Sequence, residues 1–247
     1  MDLVELYKID PKKFKRHPWE LARFKILSSF LSAKSSGNFI VDVGSGDAFV
    51  ARQLSEQFPQ NKLAAIDSNY DLQFIKDNKQ PNLLLFKSIN EVTSSEPIDF
   101  VLLMDVLEHM EKPEELLHDI RQLRITSTTQ FIITVPAFQS LFSEHDVFLK
   151  HFKRYNRKQL IRLMKMEGFQ ITRSGYFFFS LLILRIFQKF FRLHPKQGLH
   201  NWEGNRLQTN FIVSLLWIDF KFSWYLSRIG INLPGLSCYC ICHPLPS

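Results

Sequence analysis

The sequence predicts an α/β protein in which a mostly parallel sheet carries helices on both faces. Short apolar runs with strand character alternate with stretches of helical periodicity along most of the chain, which is typical of parallel sheets. A glycine turn also follows the first apolar run and leads directly into a helical stretch. Strands are expected near residues 38–43, 62–67, 82–87, 98–104, 129–135 and 169–173.

Local signals mark the ends of several helices between these strands. The stretch from Phe49 to Phe58 has helical spacing, and Pro113 fits the first turn of a later helix. Asn156 can cap a helix over residues 157–167, which Gly168 would end. Helices therefore follow strands in alternation, as the crossovers of a parallel sheet require.

The composition favours one domain over residues 1–247. The chain has 247 residues, of which 45% are hydrophobic, and it shows neither a linker-like stretch nor an internal repeat. The N-terminus has no apolar signal-peptide core, so a cytoplasmic location is expected. Three cysteines in the run CYCIC, from Cys238 to Cys242, would face one side of a strand as reduced core thiols, and no metal site is predicted.

The glycine turn has the features of a nucleotide-cofactor loop. The run from Phe39 to Val43 reads as a buried strand, and Gly44 and Gly46 permit a tight backbone path after its carboxyl end. Some twenty residues later, a second strand delivers Asp67, whose carboxylate can accept hydrogen bonds from both hydroxyls of a ribose. The two signals together predict a nucleotide-like ligand at this edge of the sheet.

Two residues of the turn argue against a dinucleotide. A G-x-G-x-x-G loop needs its third glycine at position 49, where this chain has Phe49. Asp42, two residues before Gly44, would repel a pyrophosphate but suits a ligand that carries an ammonium and a sulfonium group.

The run from Asp42 to Ala48, DVGSGDA, resembles the first motif of class I S-adenosylmethionine-dependent methyltransferases. The resemblance continues through Asp67 and the segment IDFVLLMDVLEHM at 98–110, and it covers roughly residues 17–180. Within this family, the sequence is similar to the small-molecule branch, namely the type 11/12 and ubiquinone-pathway O-methyltransferases. Ala48 stands where the motif has its third glycine. The resemblance implies a Rossmann-like seven-stranded sheet with an antiparallel last strand near 236–242 and a helical insertion before that strand. It also implies S-adenosyl-L-methionine as the cofactor and S-adenosyl-L-homocysteine as the product.

The cofactor-binding residues that the resemblance implies lie at the ends of the first four strands. They are Asp42, Gly44, Ser45, Gly46, Asp67, Ser68, Ser88, Ile89 and Met104. Ser88 would face the adenine amino group and Ile89 the ring, although a purely structural turn explains both residues nearly as well. Met104 ends an apolar strand at the edge of the pocket and is expected to line the cofactor.

Methyl transfer needs orientation of the acceptor, and a base only where the acceptor must lose a proton. The candidate catalytic residues are His109, His145, Asp146 and Tyr155. The last three lie within residues 143–155 of the segment SEHDVFLKHFKRYNRKQL, which resembles an acceptor-side segment of the small-molecule branch. The same segment supplies Glu144, His151 and Arg154 as further candidates. Local packing of His109 and a solvated loop at 143–155 are the structural alternatives.

Four parts are expected within the domain: an N-terminal helical lid (1–36), a cofactor-binding core (37–176), an apolar helical insertion (177–233) and the last strand and tail (234–247). The lid would hold His17, Trp19 and Arg23 over the cofactor pocket, or else its aromatic residues would dock the helix on the sheet. Neither apolar stretch of the insertion has the ~18 uninterrupted apolar residues of a membrane span. Its wide apolar faces must be buried against the domain, a second subunit, a lipid-like acceptor or a bilayer surface.

The predicted function is transfer of a methyl group from adenosylmethionine to a small-molecule acceptor, with a lipid-linked acceptor left open by the insertion. The net charge of +7 and the pI near 9.3 favour binding to an anionic membrane surface, so peripheral contact with the inner membrane surface stays open. A homodimer formed through the insertion also stays open. A nucleic-acid partner is disfavoured, because the sequence has neither an RNA-binding module nor the tetrad of base-amino methyltransferases after the fourth strand. The alternative is a catalytically inactive cofactor-binding or membrane-associated scaffold of the same fold.

Overall fold

The structure, a computed structural model, describes residues 15–31, 37–93, 96–191 and 202–246. Its strands are β1 (Phe39–Val43), β2 (Lys62–Ile66), β3 (Leu83–Phe86), β4 (Phe100–Met104), β5 (Gln130–Pro136), β6 (Phe169–Phe177) and β7 (Ser237–Pro244). They form one seven-stranded sheet in the order β3-β2-β1-β4-β5-β7-β6. The first five strands pair in parallel, whereas β7 is antiparallel to both β5 and β6. The predicted fold class is therefore confirmed.

The helices are α1 (Pro18–Leu31), α2 (Phe49–Gln57), α3 (Leu72–Asp77), α4 (Pro113–Arg121), α5 (Glu144–Phe148), α6 (Arg157–Met166), α7 (Phe179–Phe190) and α8 (Arg206–Arg228). Single 3₁₀ turns lie at Ile89–Glu91, Leu107–His109 and Gln139–Leu141. The predicted capping of α6 is confirmed, because the Asn156 side chain accepts a hydrogen bond of 2.9 Å from the backbone N–H of Gln159.

Two elements differ from the expected pattern. Strand β6 continues to Phe177 rather than ending near residue 173, because β7 pairs with it as far as the partners Phe177 and Ser237. The segment 143–155, for which a solvated loop was the structural alternative, begins with the short helix α5, whose start is held by a capping box between Ser143 and Asp146. Most of the expected lid helix is present as α1, whereas residues 1–14 and 32–36 of the lid lie outside the described residues.

Helices bury both faces of the sheet. One face packs against α4 and α6, which contribute the buried residues Leu117 and Leu160. The other face packs against α1, α2 and α3, which contribute Leu27, Leu54 and Phe74. The core thus consists of two apolar layers on either side of strands β1 and β4, whose residues are almost entirely buried.

The three cysteines of β7 occupy one face of the sheet, as the alternation predicts. Cys238, Cys240 and Cys242 are all buried, are free thiols and belong to the core layer beneath α4 and α6. Burial raises the pKa of Cys238 above its usual range, which keeps this thiol protonated and unreactive.

The insertion is attached to the domain through α8. Its residues Leu216 and Phe220 pack against Phe177 and Tyr239 of the sheet, beside helix α1. Asp219 of α8 also accepts hydrogen bonds from the backbone N–H (3.0 Å) and the hydroxyl (2.7 Å) of Ser180. This carboxylate caps the N-terminal end of α7, where the residue at the cap position, Phe178, has no capping side chain.

Large apolar side chains remain exposed on both insertion helices. On α7 they are Ile183, Leu184, Ile186, Phe187 and Phe190, and on α8 they are Leu207, Phe211, Leu215, Ile218, Phe222 and Tyr225. We call these eleven residues the apolar face. No helix within the described ranges is both long enough and apolar enough to cross a membrane.

We predict that Phe131→Ala lowers the free energy of unfolding by about 3–5 kcal/mol, because it leaves a cavity in the core. Phe131 is fully buried in β5, and its ring packs edge-on against that of Phe169 with centroids 4.7 Å apart. Urea unfolding followed by circular dichroism measures the loss. Leu84→Ala is the control, because Leu84 lies on the edge strand β3 and is 56% exposed. Equal losses for the two variants would contradict the packing described here.

Candidate functional site

The loop after β1 is tied to the end of β2 by backbone and side-chain hydrogen bonds. The N–H of Gly44 donates to the carbonyl of Ile66 at 2.8 Å, and the N–H of Gly46 donates to Oδ2 of Asp67 at 2.8 Å. The hydroxyl of Ser45 lies 2.6 Å from that of the fully buried Tyr70. The structure therefore brings together Gly44, Ser45, Gly46 and Asp67, as the sequence predicts.

Asp67 is half-buried at the carboxyl end of β2. Its second oxygen, Oδ1, accepts hydrogen bonds from the backbone and side-chain N–H groups of Asn69, at 3.0 and 3.1 Å. These bonds hold the carboxylate at the edge of the sheet, next to the glycine loop. Ser68 follows it and is exposed.

Asp42 is buried within β1, and only 2% of its surface is exposed. Neither of its carboxylate oxygens has a hydrogen-bond partner among the described residues. Burial, together with the nearby negative charges of Asp67 and Asp47, raises the pKa of Asp42 to about 7. An ionised Asp42 is thus costly in the protein alone and attracts positive charge.

Ala48 occupies the position at which the motif usually has its third glycine. Its backbone is left-handed, with φ of 54°, and it begins helix α2. A residue other than glycine is strained in this region, so the loop keeps the glycine-like path even where the glycine has been replaced.

The residues proposed for the adenine end lie at the tips of β3 and β4. Ser88 is half-buried, and its hydroxyl accepts a bond of 3.3 Å from the N–H of Asn90, so it caps the 3₁₀ turn at Ile89–Glu91. Ile89 packs partly against the core, and Met104 is half-buried at the end of β4. The local turn thus accounts for the Ser88 side chain, and its contact with adenine stays a prediction.

The start of α1 contacts the loops after β1 and β4. Arg16 forms an ion pair with Asp47 and lies over the ring of Phe49, with its guanidinium carbon 3.8 Å from the ring centroid. Arg23 forms an ion pair with Asp105, the residue that follows β4. Of the other residues named for the lid, His17 lies next to Trp19, with ring centroids 6.1 Å apart.

On the acceptor side, Asp146 is a fully buried carboxylate with several donors. Its Oδ1 accepts from Nδ1 of His151 at 3.0 Å and from Nε of Arg154 at 2.7 Å, and its Oδ2 accepts from Nη2 of Arg154 at 3.0 Å. Ser143 adds its backbone N–H at 2.9 Å and its hydroxyl at 3.0 Å. Burial alone would raise the pKa of Asp146, but these hydrogen bonds hold it well below its usual range. Asp146 is therefore an ionised anchor for His151 and Arg154.

His109 and His151 meet where the segment 143–155 packs against the loop after β4. Their ring centroids are 4.5 Å apart and the rings are perpendicular. The backbone N–H of Phe152 donates to the carbonyl of Glu108 at 2.7 Å and joins the two segments. Glu108 is fully buried, and burial raises its pKa to about 8.

The other two predicted catalytic residues do not join this group. Tyr155 is buried, and its hydroxyl donates to the backbone carbonyl of Leu107 at 3.2 Å. The side chain of His145 is exposed on α5. The sequence analysis named His151 within the later candidate group but did not name Glu108, although the letters LEHM contain it.

A family model described as a methyltransferase domain matches residues 17–174. No curated protein matches the sequence significantly. Among solved structures, a SAM-dependent methyltransferase from Archaeoglobus fulgidus is 16% identical, with a TM-score of 0.57 and coverage of 98% of this chain and 100% of that one.

Two further structures share the fold. Phosphoethanolamine N-methyltransferase 2 from Haemonchus contortus, in complex with S-adenosyl-L-methionine, is 15% identical with a TM-score of 0.56, covering 91% of this chain and 52% of that one. The plantazolicin methyltransferase BamL, in complex with a triazolic desmethylPZN analog and SAH, is 13% identical with a TM-score of 0.51, covering 92% of this chain and 84% of that one. With the family match over more than half of its length, the chain belongs to the methyltransferase-domain family of class I, S-adenosylmethionine-dependent enzymes.

Proposed function

We propose that this chain transfers the methyl group of adenosylmethionine to a small-molecule acceptor with an extended apolar part, such as a lipid-linked compound. The observation that carries the acceptor class is the exposed apolar face of α7 and α8. Helix α7 is joined through Lys189 to the carbonyl of Ser140, shortly before the acceptor-side segment 143–155. When bound, adenosylmethionine supplies an electrophilic methyl group on a positively charged sulfonium. The residues of the glycine loop and its surroundings fit this cofactor in two respects.

The first respect is charge. Asp42 is buried and has no hydrogen-bond partner among the described residues, and Asp47 and Asp67 add negative charge around it. A cationic ligand offsets the cost of keeping this carboxylate ionised, whereas a pyrophosphate would increase it. This arrangement supports Asp42 as the residue that favours the ammonium and sulfonium charges.

The second respect is space. A Cβ atom on Gly44 would lie 2.6 Å from Cγ2 of Val106, so only glycine lets the loop after β1 approach the loop after β4 this closely. A carboxylate offers about four acceptor sites, of which Gly46 uses one on Asp67 and Asn69 uses two. A ribose that places both hydroxyls on Asp67 would therefore have to displace at least one bond of Asn69, while the bond to Gly46 keeps the loop in place. These contacts support the proposed roles of Gly44, Gly46 and Asp67 in cofactor binding.

Helix α1 is proposed as the lid over this pocket. The ion pairs of Arg16 with Asp47 and of Arg23 with Asp105 connect one helix to the loops of two strands. Displacing the helix would separate both pairs and open the edge of the sheet. Closure of such a segment would exclude water from the reacting groups.

The acceptor is proposed to bind between the loop after β4 and the segment 143–155. His109 and His151 lie together there, and Asp146 fixes the orientation of His151. These imidazoles are the side chains best placed to take up a proton if the acceptor must lose one. Neither the Tyr155 hydroxyl nor the exposed His145 has comparable support.

The apolar face supports an apolar extension of the acceptor. Soluble monomers rarely expose large contiguous apolar patches unless the patch binds something. Lys189 of α7 donates a hydrogen bond to the carbonyl of Ser140, so the helix that carries half of this face is anchored on the segment after β5. With a net charge of +7, the chain would also be attracted to an anionic bilayer, where a lipid-linked acceptor would reside. Peripheral membrane contact therefore forms part of the proposal.

We predict that Gly44→Ala abolishes adenosylmethionine binding in calorimetry and lowers the free energy of unfolding by about 2–4 kcal/mol. The added Cβ would meet Val106, and φ of 69° is strained for alanine. Gly37→Ala is the matched control, because Gly37 also has a positive φ of 91° but nothing lies within 4 Å of the added atom. The double variant Gly44→Ala with Val106→Ala should regain part of the lost stability. Equal stability of the Gly44→Ala and Gly37→Ala variants would contradict the steric argument.

We predict that Asp42→Asn stabilises the cofactor-free protein at pH 8 while weakening adenosylmethionine binding at least tenfold. Because the folded-state pKa of about 7 exceeds the unfolded value, the stability contributed by this group is complete below about pH 4 and is lost as pH rises through 7. The variant should therefore exceed the wild type by roughly 2–4 kcal/mol at pH 8 and match it near pH 4. Thermal unfolding at several pH values measures the difference. Asp119→Asn, at an exposed position of α4, should show no such trend.

We predict that methyl groups from tritiated adenosylmethionine enter a chloroform-soluble product when the protein is incubated with a total lipid extract. The protein should also sediment with vesicles that contain phosphatidylglycerol and not with neutral phosphatidylcholine vesicles. Phe187→Asp and Phe211→Asp should reduce both signals, because each puts a charge on the apolar face. Leu72→Asp is the control, at a position on α3 that is 84% exposed.

The same assay can exclude the proposed acceptor class. Product found only in the aqueous fraction would show that the acceptor is not lipid-like, even if methyl transfer itself takes place. A dimer in light scattering that Phe211→Asp dissociates, without vesicle binding, would assign the apolar face to a second subunit instead.

A further inference from the structure

We propose that Glu108, His109 and His151 form a binding site for one divalent transition-metal ion, with zinc as the ion that this donor set fits most directly. One ligand atom from each residue can be chosen so that all three lie within 4.8 Å of one another. Two imidazoles and one carboxylate are the protein ligands of one class of catalytic zinc site, which leaves a further position for water or substrate.

Glu108 provides the first independent observation. It is fully buried, and neither of its carboxylate oxygens has a hydrogen-bond partner among the described residues. Arg23 and Arg154 act on it electrostatically, but neither guanidinium forms a hydrogen bond with it. A buried carboxylate in this state is unfavourable unless a cation binds directly to it. A metal ion at this position would supply the direct partner that the described residues do not.

His151 provides the second observation. Its Nδ1 lies 3.0 Å from Oδ1 of Asp146, a carboxylate that the hydrogen bonds of Arg154 and Ser143 keep ionised. Because an ionised carboxylate can only accept, Nδ1 of His151 carries the donated proton, so in the neutral tautomer the lone pair lies on Nε2. A carboxylate that orients a histidine in this way is the usual support of a metal ligand. A metal ion at Nε2 would thus explain why Asp146, itself held by several hydrogen bonds, fixes the orientation of this one imidazole.

The backbone brings the remaining ligands to His151. Glu108 and His109 are consecutive in the 3₁₀ turn after β4, and the bond of 2.7 Å from the N–H of Phe152 to the carbonyl of Glu108 joins the two segments. Bonds of about 2.0–2.2 Å to zinc separate tetrahedral ligand atoms by about 3.4 Å. Side-chain rotations that close the widest gap by up to about 1.4 Å would therefore suffice, which is within the reach of three side chains with rotatable bonds.

The site lies on the acceptor side of the domain, because the loop that carries Glu108 and His109 follows β4 directly after Asp105. An open metal position there would bind an oxygen atom of the acceptor, such as a hydroxyl, carboxylate or phosphate oxygen. This role in orienting the acceptor rests on the proposed function, and it replaces proton uptake by the two imidazoles, since a ring nitrogen that binds the metal has no lone pair left for a proton. Metal binding itself does not, and it can be measured without any methyl acceptor.

The test is calorimetric titration of the chelator-treated full-length protein with zinc chloride, repeated with cobalt chloride so that its visible absorption reports the coordination geometry. We expect one ion per chain with micromolar or tighter affinity and a tetrahedral or five-coordinate cobalt spectrum. Glu108→Gln and His151→Ala should each weaken zinc binding at least tenfold, and Asp146→Asn should weaken it about 10–100-fold through His151. His118→Ala, at an exposed histidine of α4, is the matched control and should leave the affinity unchanged.

Three results would overturn the site: no saturable binding to the wild type, affinity that Glu108→Gln leaves unchanged, or equal loss in the His118→Ala control. Glu108→Gln preserves volume and removes a buried charge, so it is expected to fold even if the histidine variant does not, and circular dichroism verifies this. Adenosylmethionine binding is measured on the same samples. If the wild type binds adenosylmethionine but not zinc, only the metal site is overturned. If the wild type does not bind adenosylmethionine, the proposed function is overturned.

Discussion

Asp42, Glu108 and Asp146 are buried carboxylates near the carboxyl ends of the parallel strands. Each is stable in its ionised form only if positive charge lies close to it, and the source of that charge differs among the three. Asp146 is compensated within the chain by Arg154 and His151. Asp42 and Glu108 have no hydrogen-bond partner among the described residues, and burial raises the pKa of both. Such groups reduce stability unless a ligand binds to them. Asp42 lies on β1 and Glu108 follows β4, so the two groups mark the part of the sheet edge that we propose for the cofactor and the part that we propose for the acceptor.

Backbone strain is concentrated at the same edge. Within the described ranges, the non-glycine residues with positive φ are Ala48, Asp105, Phe138, Lys150 and Phe178. Ala48, Asp105, Phe138 and Phe178 lie in the connections after β1, β4, β5 and β6, four strands that point in one direction, whereas Lys150 follows helix α5. Each costs of order 1–3 kcal/mol and persists only where the surrounding packing enforces it. The rigid parallel strands therefore support loops whose conformation is set by the site rather than by local preference.

Features of the fold and the site could be predicted from the sequence when the residues that determine them lie close together along the chain. The glycine loop and Asp67 belong to one strand-helix-strand unit, so turn residues and spacing were sufficient to predict them. Glu108 and His151 lie on segments separated by β5, and a single backbone bond from Phe152 joins them, so no local spacing reveals the pair. Helix α5 has only five residues, too few for helical periodicity to appear. The periodicity of α7 indicated an apolar face but could not indicate whether anything covers Phe187, since amphipathicity is a property of one helix alone.

The acceptor must be inferred from the residues of this chain, because two structures that are 13% and 15% identical share the fold but are named for different substrates, plantazolicin and phosphoethanolamine. Two features are available for this. In our proposal, the cluster of Glu108, His109 and His151 holds a metal ion that would bind an oxygen-bearing head group. The apolar face offers room for a hydrophobic remainder, and Lys189 anchors its helix on the segment after β5. A molecule with both a polar reactive end and an apolar body satisfies the two surfaces at once, whereas a small polar metabolite would leave the apolar face without a role.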